Sequence, residues 1–283
     1  MKILVFGEKG QIASELSNVL DAATFLGRKA ADFENPQLCR DIVLDSDIDL
    51  VINAAAYTDV DSAESEFEKA KLINGITPGY IAKACKEKNI PLIHISSDYV
   101  FSGAGQKPWS INDDLVPINS YGQSKLIGET EILRSKCKHI ILRTSWVFSK
   151  HSSNFVKTML NISNHQNEVK VVCDQVGGPT SAHDIALVCS KLASFLSKNA
   201  SGLNYIFHYS GQPNISWAEF AKEIFALANK RIEVINIGSS DFTTKAKRPL
   251  NSKLDCDEIY RVLKIERPCW RKGLKEVVSD ILK

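Results

Sequence analysis

Residues 2–20 read KILVFGEKGQIASELSNVL, and this stretch decides the fold. Its first part, Lys2–Phe6, is a short apolar run that favours a β-strand, and the apolar residues around Ser14–Leu20 recur at helical spacing. Between them, Gly7 permits a tight turn and Gly10 allows the backbone to approach a ligand. A strand, a glycine turn and a helix in this order predict a βα unit that binds a dinucleotide, with the diphosphate at the helix N-terminus. An ordinary βα turn is the alternative.

The alternation of strand and helix continues through the first half of the chain. Apolar, β-favouring runs predict strands at Thr24–Arg28, Asp49–Asn53, Pro91–Ile95 and His139–Thr144. Helical patterns separate them: one from Thr58 through Ala70, one over Asn74–Lys88 with an interruption near Pro78 and Gly79, and one that begins near Pro117 and Ser120. This order predicts an α/β fold with a doubly wound parallel sheet, a Rossmann fold.

After residue 150 the alternation becomes less regular. The predicted strands there are Val169–Val172, Leu203–His208 and Ile232–Ile237, and the predicted helices are Asp184–Leu196, Ser216–Ala228 and Lys272–Leu282. Ser216 is the expected N-cap of its helix. We therefore expect a dinucleotide-binding domain over residues 1–150 and a smaller lobe over residues 151–283.

The end of the second predicted strand indicates the cofactor. Gly27 is followed by Arg28 and Lys29, where a site for NADH would usually place an acidic side chain on the ribose 2′-hydroxyl. Two cations at this point favour the 2′-phosphate of NADPH, with NADH as the second choice and a solvated turn as the alternative. Asp32 and Phe33 follow and are expected to flank the adenine.

Small and polar residues follow the third and fourth predicted strands. Ala54, Ala55 and Ala56 are small enough to let the backbone lie against a cofactor, and Thr58 comes directly after them. The segment Ser96–Tyr99 follows the fourth strand. Because open α/β sheets bind ligands at the carboxyl ends of their strands, we expect both segments at one site.

Residues 121–125 read YGQSK. In a helix, Tyr121 and Lys125 lie four residues apart on one face and can point at one ligand. A neighbouring ammonium lowers the pKa of a phenol from its usual value of ~10, which makes the hydroxyl usable in proton transfer. The bare pattern Tyr-x-x-x-Lys is common by chance, so a solvated helix face is the alternative. The glycine turn and the polar strand end upstream favour the catalytic interpretation.

The composition excludes several classes of protein. The 283 residues carry a net charge of only +2, which gives no reason to expect nucleic acid or a membrane surface as a partner. No apolar run approaches the ~18 residues of a membrane-spanning helix. The seven cysteines form no Cys-x-x-Cys pair and do not cluster with the six histidines, which argues against zinc and disulfides and favours the cytoplasm.

With these motifs in place, the chain resembles the extended short-chain dehydrogenase/reductase superfamily and, within it, the dTDP-4-dehydrorhamnose reductase family. The matching segments are VINAAAYT (51–58), SSDYVFSG (96–103), LRTSWV (142–147), DQVGGPT (174–180) and RPLNSKL (248–254). The glycine turn and Tyr-x-x-x-Lys identify the superfamily. The segments that begin at Ser96, Asp174 and Arg248 are more specific to the reductase, and the resemblance runs along nearly the whole chain.

The resemblance implies a role for each matched residue. Ser97 matches a hydroxyl that hydrogen-bonds the reacting oxygen, Tyr121 matches the general acid, and Lys125 matches the residue that holds the nicotinamide ribose. The expected cofactor contacts are Gly7, Gly10, Gln11, Ile12, Arg28, Asp32, Phe33, Ala54, Ala55, Ala56, Thr58, Tyr121 and Lys125. The expected substrate contacts are Ser97, Asp98, Tyr99, Trp146, Arg248 and Asn251. A strand-end cap at Ser97, core packing at Trp146 and a solvated basic loop at Arg248 are the alternatives.

The resemblance also implies an activity, the NADPH-dependent reduction of the C4 ketone of dTDP-4-dehydro-L-rhamnose to dTDP-L-rhamnose, a precursor of cell-surface polysaccharide. The lobe over residues 151–283 would then bind the nucleotide sugar, with part of its chain returning into the first domain. One alternative is a 4-reductase of another nucleotide-linked 4-keto sugar. Another is a non-catalytic, NADP-binding regulatory subunit like that of methionine adenosyltransferase.

Two departures from the family limit what the resemblance implies. The first is the pair Ser96 and Ser97, which leaves open which hydroxyl faces the substrate, although the matching position favours Ser97. The second concerns a metal site. Some members bind magnesium at a dimer contact through a cluster of carboxylates. Glu15 and Asp184 match part of that cluster, but His183 stands where a second acidic residue is expected. The departure argues against magnesium and leaves a monomer or a homodimer as the expected state.

Overall fold

The computed structural model describes residues 1–198 and 204–283. The strands are β1 (Ile3–Phe6), β2 (Ala23–Leu26), β3 (Leu50–Asn53), β4 (Leu92–Ser97), β5 (His139–Thr144), β6 (Val147–Phe148), β7 (Glu168–Val172), β8 (Val176–Gly177), β9 (Thr180–Ser181), β10 (Asn204–His208), β11 (Ile215–Ser216), β12 (Glu233–Ile237) and β13 (Asn251–Ser252). The helices are α1 (Gln11–Val19), α2 (Pro36–Asp45), α3 (Phe67–Lys71), α4 (Thr77–Glu87), α5 (Ser120–Ser135), α6 (Phe155–Ile162), α7 (Ala182–Lys198), α8 (Trp217–Leu227), α9 (Asp257–Leu263) and α10 (Trp270–Leu282).

The main sheet has six parallel strands in the order β2-β1-β3-β4-β5-β10. The chain leaves β1 toward β2 on one side and returns to β3 on the other, so the strand order reverses between β1 and β3. At such a reversal the connections diverge from the carboxyl ends of the strands and leave a crevice.

Helices cover both faces of this sheet, as the predicted doubly wound fold requires. On one face, Leu16 of α1 and Leu192 of α7 are buried against Val5 and Ile52. On the other face, residues of α2, α4 and α5 pack on the opposite sides of the same strands; Val43, Ile81 and Ile132 are examples. The alternating side chains of each central strand therefore enter two separate cores, which explains why the strands read as continuous apolar runs. The predicted fold class is confirmed.

A third core forms in the C-terminal half. Helices α6, α8 and α10 pack together there through apolar residues such as Leu160, Phe220 and Leu274. Three small sheets join this region, in the orders β11-β8-β13, β12-β7 and β6-β9. Strand β10, in contrast, joins the edge of the main sheet beside β5. We keep residues 1–150 and 151–283 as a proposed division of the chain.

Most predicted elements are confirmed to within a few residues, and β5 is predicted with its observed bounds. The Ser216 cap is confirmed: its Oγ accepts a hydrogen bond from the Glu219 N–H at 3.2 Å, and the Glu219 Oε2 accepts from the Ser216 N–H at 2.7 Å. For the predicted strand Leu203–His208, Leu203 lies outside the described residues. Helix α1 begins at Gln11 rather than Ser14, directly after the glycine turn.

Two predicted helix boundaries are wrong. No break occurs at Pro78 and Gly79; α4 runs through both, because Pro78 lies in its first turn, where a missing N–H costs nothing. The irregular turn is a π-helical segment at Leu72–Ile76, just before α4. Residues 58–61 are not helical either, and a short 3₁₀ turn at Ser62–Glu64 precedes α3. In the part of the chain that is described, no helix could cross a membrane.

Candidate active site

A deep cleft of about 1040 Å³ opens at the carboxyl ends of the central strands. The glycine turn after β1, the ends of β3 and β4, the first turns of α5 and the segment around β6 all contribute to its walls. The predicted cofactor contacts all line it: Gly7, Gly10, Gln11, Ile12, Arg28, Asp32, Phe33, Ala54, Ala55, Ala56, Thr58, Tyr121 and Lys125. Among the predicted substrate contacts, Ser97, Asp98, Tyr99 and Trp146 line it as well.

The glycine turn has the shape of a cradle for a diphosphate. Gly7 has φ of +117°, and a Cβ on it would come within 3.2 Å of the Ala13 Cβ and 3.3 Å of the Ala54 backbone. A Cβ on Gly10, in contrast, would meet no described atom within 4 Å and would project into open space. Gly10 also gives α1 no side-chain cap. The N–H groups of the first helical turn therefore remain available to an anion.

The Gln11 side chain does not point its polar atoms freely into the cleft. Its Nε2 donates to the Val147 carbonyl at 3.4 Å, and its Oε1 accepts from the Ser149 hydroxyl at 2.9 Å. These contacts tie the start of α1 to β6 and to the residue that follows it. The predicted cofactor contact of Gln11 is therefore left to its backbone N–H.

The Arg28 side chain lines the cleft and has acidic partners. It is 70% exposed at the rim of the cleft, where its guanidinium pairs with Glu34 and lies 3.8 Å from Asp32. Asp32 in turn accepts a hydrogen bond from the Glu34 N–H. Phe33 is buried with its ring edge-on to Phe6, so packing restrains the wall next to the predicted adenine position.

Tight packing of α5 brings Tyr121 to the end of β4. The Asn119 side chain caps the helix by accepting from the Gly122 N–H at 2.8 Å. A Cβ on Gly122 would lie 2.2 Å from the Tyr99 carbonyl, so only glycine lets the first turn of α5 approach this close. The rings of Tyr99 and Tyr121 meet edge to face with centroids 5.4 Å apart.

Ser97 and Tyr121 supply the two hydroxyl groups of the candidate catalytic site. The Ser97 hydroxyl donates to Asp98 Oδ1 at 3.0 Å and accepts from the Tyr99 N–H at 3.2 Å. Burial raises the pKa of Tyr121 to about 12, although its hydrogen bond with Ser97 opposes the rise. The lowered phenol pKa expected from the sequence is therefore not found, because desolvation of the phenolate raises this pKa and the Asp98 carboxylate raises it further. Tyr121 is a protonated phenol, the form that a general acid needs.

The Lys125 side chain, the candidate cation of the site, is buried, with 2% of its surface exposed. Its Nζ donates to the Ile95 carbonyl at 2.7 Å and lies 3.4 Å from His94 Nε2. Burial lowers the pKa of Lys125 to about 8, and the Glu129 carboxylate opposes the fall. Sequence reasoning did not find His94, because its position on an apolar strand is also typical of a core histidine.

Two aromatic rings form the far wall of the cleft. Trp146, whose φ is +49°, stacks on Trp217 with centroids 3.5 Å apart and planes 9° from parallel. Phe155 packs on Trp217, with the two ring centroids 4.5 Å apart. Trp217 and Phe220 line the cleft but were missed, because α8 shows an ordinary amphipathic pattern in the sequence.

Asp98 adds a buried carboxyl group to the lining of the cleft. It is 3% exposed, and its Oδ2 has no hydrogen-bond partner among the described residues. Burial raises the pKa of Asp98 to about 6, although the hydrogen bond that Oδ1 accepts from the Ser97 hydroxyl opposes the rise. An unpaired buried oxygen is costly, so this atom is a candidate acceptor for a ligand hydroxyl.

Two predicted substrate contacts lie elsewhere. Asn251 is buried behind the cleft wall, where its Nδ2 donates to the Lys107 carbonyl at 2.7 Å and its Oδ1 accepts from the Lys253 N–H at 3.2 Å. These bonds use its amide to hold the loop before α5, and Asn251 is not among the residues that line the cleft. Its contact with the substrate stays a prediction. Arg248 is outside the cleft lining and pairs with Asp61 at 2.6 Å, although its Nη1 has no partner among the described residues.

The residues matched to a magnesium cluster form a small group on α1 and α7. Glu15 Oε1 lies 3.1 Å from His151 Nε2, and Glu15 Oε2 lies 3.3 Å from His183 Nδ1. Across residues 1–198 and 204–283, no set of three or more His, Cys, Asp or Glu side chains is arranged to hold a metal ion.

Comparison with known proteins identifies the family. The family model described as the RmlD substrate binding domain matches residues 1–283. dTDP-4-dehydrorhamnose reductase of Sinorhizobium fredii is 38% identical, over 100% of this chain and 98% of that protein. The reductase of Escherichia coli K12 is 35% identical, over 99% of this chain and 98% of that protein.

Solved structures agree with the sequence comparison. The dTDP-4-dehydrorhamnose reductase of Clostridium acetobutylicum superimposes with a TM-score of 0.94 at 32% identity and 100% coverage of both chains. The Bacillus anthracis reductase, solved in complex with NADP, has a TM-score of 0.92 at 31% identity, over 99% of this chain and 100% of that one. The resemblance read from the motifs is confirmed, and the chain belongs to the dTDP-4-dehydrorhamnose reductase family.

Proposed function

We propose that this protein reduces the C4 ketone of dTDP-4-dehydro-L-rhamnose with NADPH and forms dTDP-L-rhamnose. One observation carries the proposal: Ser97, Tyr121 and Lys125 line the same cleft as the glycine turn. A redox cofactor and a proton donor are both needed at a carbonyl for this reaction. Full-length relatives named as reductases of this sugar support the choice of substrate.

The residues present fit a nicotinamide dinucleotide. The open space above Gly10 and the uncapped start of α1 suit the diphosphate, and Arg28 and Lys29 suit a 2′-phosphate. Ala54, Ala55 and Ala56 form a wall without bulky side chains. When bound, the reduced cofactor supplies a hydride to C4 of the sugar.

The protein's own residues handle the proton and the developing charge. As a carbonyl is reduced, negative charge grows on its oxygen, and hydroxyl groups aimed at that oxygen stabilise it. Tyr121 and Ser97 are those donors in our proposal, and Tyr121 gives up its proton to the oxygen. Lys125 in its ammonium form stabilises the phenolate that remains. Trp146 and Asp98 are the proposed contacts of the sugar.

Two rivals lead to different results in one experiment. A panel of nucleotide-linked 4-keto sugars is incubated with purified protein and either NADPH or NADH, and the loss of the absorbance of the reduced nicotinamide is followed. The proposal expects the fastest oxidation with dTDP-4-dehydro-L-rhamnose. Faster turnover of another sugar would show that this other sugar is the substrate. No turnover on any sugar, together with co-purification of a stoichiometric enzyme partner, would favour the regulatory subunit, which has no need of a proton donor.

Replacing Arg28 by alanine is expected to raise the KM for NADPH by about 10-fold or more, because a charged hydrogen bond to the 2′-phosphate is lost. The KM for NADH is the internal control and should change little, since NADH has no phosphate there. Initial rates at varied cofactor concentration measure both. An equal rise for the two cofactors would show that Arg28 does not read the phosphate.

We also propose that the protein acts in the cytoplasm, because none of its seven cysteines, all within the described residues, is in a disulfide, and five of them are buried. A monomer or a homodimer stays the prediction for its assembly. Light scattering after size-exclusion chromatography distinguishes the two.

A further inference from the structure

A chain of buried polar side chains lies behind Lys125. His94, on the central strand β4, is 0% exposed, and its Nε2 faces the Lys125 Nζ at 3.4 Å. On the other side of the ring, His94 Nδ1 lies 3.1 Å from Asn53 Nδ2. Asn53 ends β3 and is 1% exposed, and its Oδ1 accepts from the Ala55 N–H at 3.1 Å. Asn53 and His94 thus connect the Ala55 backbone to the candidate catalytic lysine, Lys125.

These contacts determine where the imidazole proton sits. The Ala55 N–H can only donate, so the oxygen of the Asn53 amide must face it and the NH₂ group must face His94. His94 Nδ1 then accepts a hydrogen bond and carries no proton. A neutral imidazole has one N–H, which must be on Nε2. That N–H points toward Lys125.

An N–H group that faces Nζ interacts favourably with the neutral amine of Lys125 and unfavourably with its ammonium form. A neutral amine has a lone pair and can accept from His94 while it donates to the Ile95 carbonyl. An ammonium has no acceptor, so two donors would face each other at 3.4 Å. The pair Asn53–His94 therefore disfavours the ammonium.

We propose that His94, held by Asn53 with its proton on Nε2, is a positioning residue that opposes the ammonium form of Lys125. The inference concerns the free protein, and only its kinetic test rests on the proposed function. It assigns a role to two buried side chains that the reduction chemistry itself does not use.

The charged and titratable neighbours fit this role. Glu129, one turn after Lys125 on α5, favours the ammonium, but it is engaged by Arg143 and Ser96. Burial lowers the pKa of His94 well below its ordinary value, and the Lys125 ammonium and His139 lower it further, so the ring stays neutral. The pKa of Lys125, lowered to about 8, places its titration within the working range of an enzyme.

The first test reads the tautomer directly and needs no substrate. Protein with ¹⁵N-labelled histidine is studied by NMR from pH 6 to 9, and His94 is assigned by its loss in a His94→Phe variant. We expect His94 to show a protonated Nε2 and an unprotonated Nδ1 throughout. A ring with its proton on Nδ1 would overturn the proposal, since its Nε2 lone pair would then favour the ammonium.

The second test uses the sign of a pH shift. The fall of kcat/KM at alkaline pH reports loss of the Lys125 proton in the free enzyme. In His94→Phe the opposing N–H is gone, so we expect this limb to move to higher pH by about 0.5–1 unit. A move to lower pH, or no move, contradicts the inference. His139→Phe is the matched control; it removes another buried histidine, at the start of β5, and should leave the limb in place.

The two tests separate the inference from the proposed function. If no ketosugar is reduced, the function fails while the tautomer measurement still decides the inference. If His94→Phe does not fold, the wild-type spectrum decides it alone, with the assignment made from Asn53→Ser. That variant frees Nδ1 from its donor and should allow the Nδ1–H tautomer to appear.

Discussion

Replacing Tyr121 by phenylalanine is expected to lower kcat by about 10²–10⁴-fold, the usual effect of losing a positioned proton donor. The phenol is the group aimed at the cleft from the first turn of α5, and its pKa of about 12 keeps it protonated across the working pH range. Phenylalanine keeps the ring and its edge-to-face packing on Tyr99. Cofactor affinity should therefore change little, which fluorescence titration with NADPH measures.

Tyr57→Phe is the control for this experiment. Tyr57 also lines the cleft, but its hydroxyl is committed to Glu66 at 2.9 Å. Its loss should leave kcat within a few-fold of the wild type. A Tyr121→Phe protein with wild-type kcat would remove Tyr121 from the mechanism, and with it the observation that carries the proposed function.

Glu129→Gln is expected to lower the free energy of unfolding by about 3–5 kcal/mol, the cost of leaving one charge of a buried pair unpaired. Arg143 and Glu129 are each 1% exposed, and two guanidinium nitrogens contact the carboxylate at 2.6 and 2.9 Å. The same carboxylate accepts from the Ser96 hydroxyl at 2.5 Å. With glutamine, the guanidinium keeps its charge in the core without a counter-ion.

Urea denaturation followed by circular dichroism measures this loss. Glu223→Gln breaks the exposed pair with Arg271, and it should cost less than about 1 kcal/mol because solvent screens such pairs. A Glu129→Gln loss as small as that of the control would mean that water reaches the Arg143 guanidinium. The variant should also lower the pKa of Lys125 further, since Glu129 is the group that raises it.

The fold could be predicted from the sequence because its signals are local. The glycine turn, the apolar strands and the capped helix at Ser216 each depend on neighbours a few residues away, so pattern and chemistry agree with the observed elements. The π-helical turn at Leu72–Ile76 could not be predicted, because contacts with α5 decide it: a Cβ on Gly128 would lie 2.2 Å from the Asn74 carbonyl.

The amino-acid sequence by itself determined the Rossmann order, the family and most of the predicted residues that line the cleft, because strand ends and short motifs meet at one edge of a parallel sheet. Only the tertiary structure decided which side chains are free to act. The Asn251 amide is hydrogen-bonded to a loop, Trp217 stacks on Trp146 although the two are far apart in the sequence, and Tyr121 has a raised pKa. All three findings depend on burial and on contacts with residues far away in the sequence. Spacing along the sequence shows neither the burial nor these contacts.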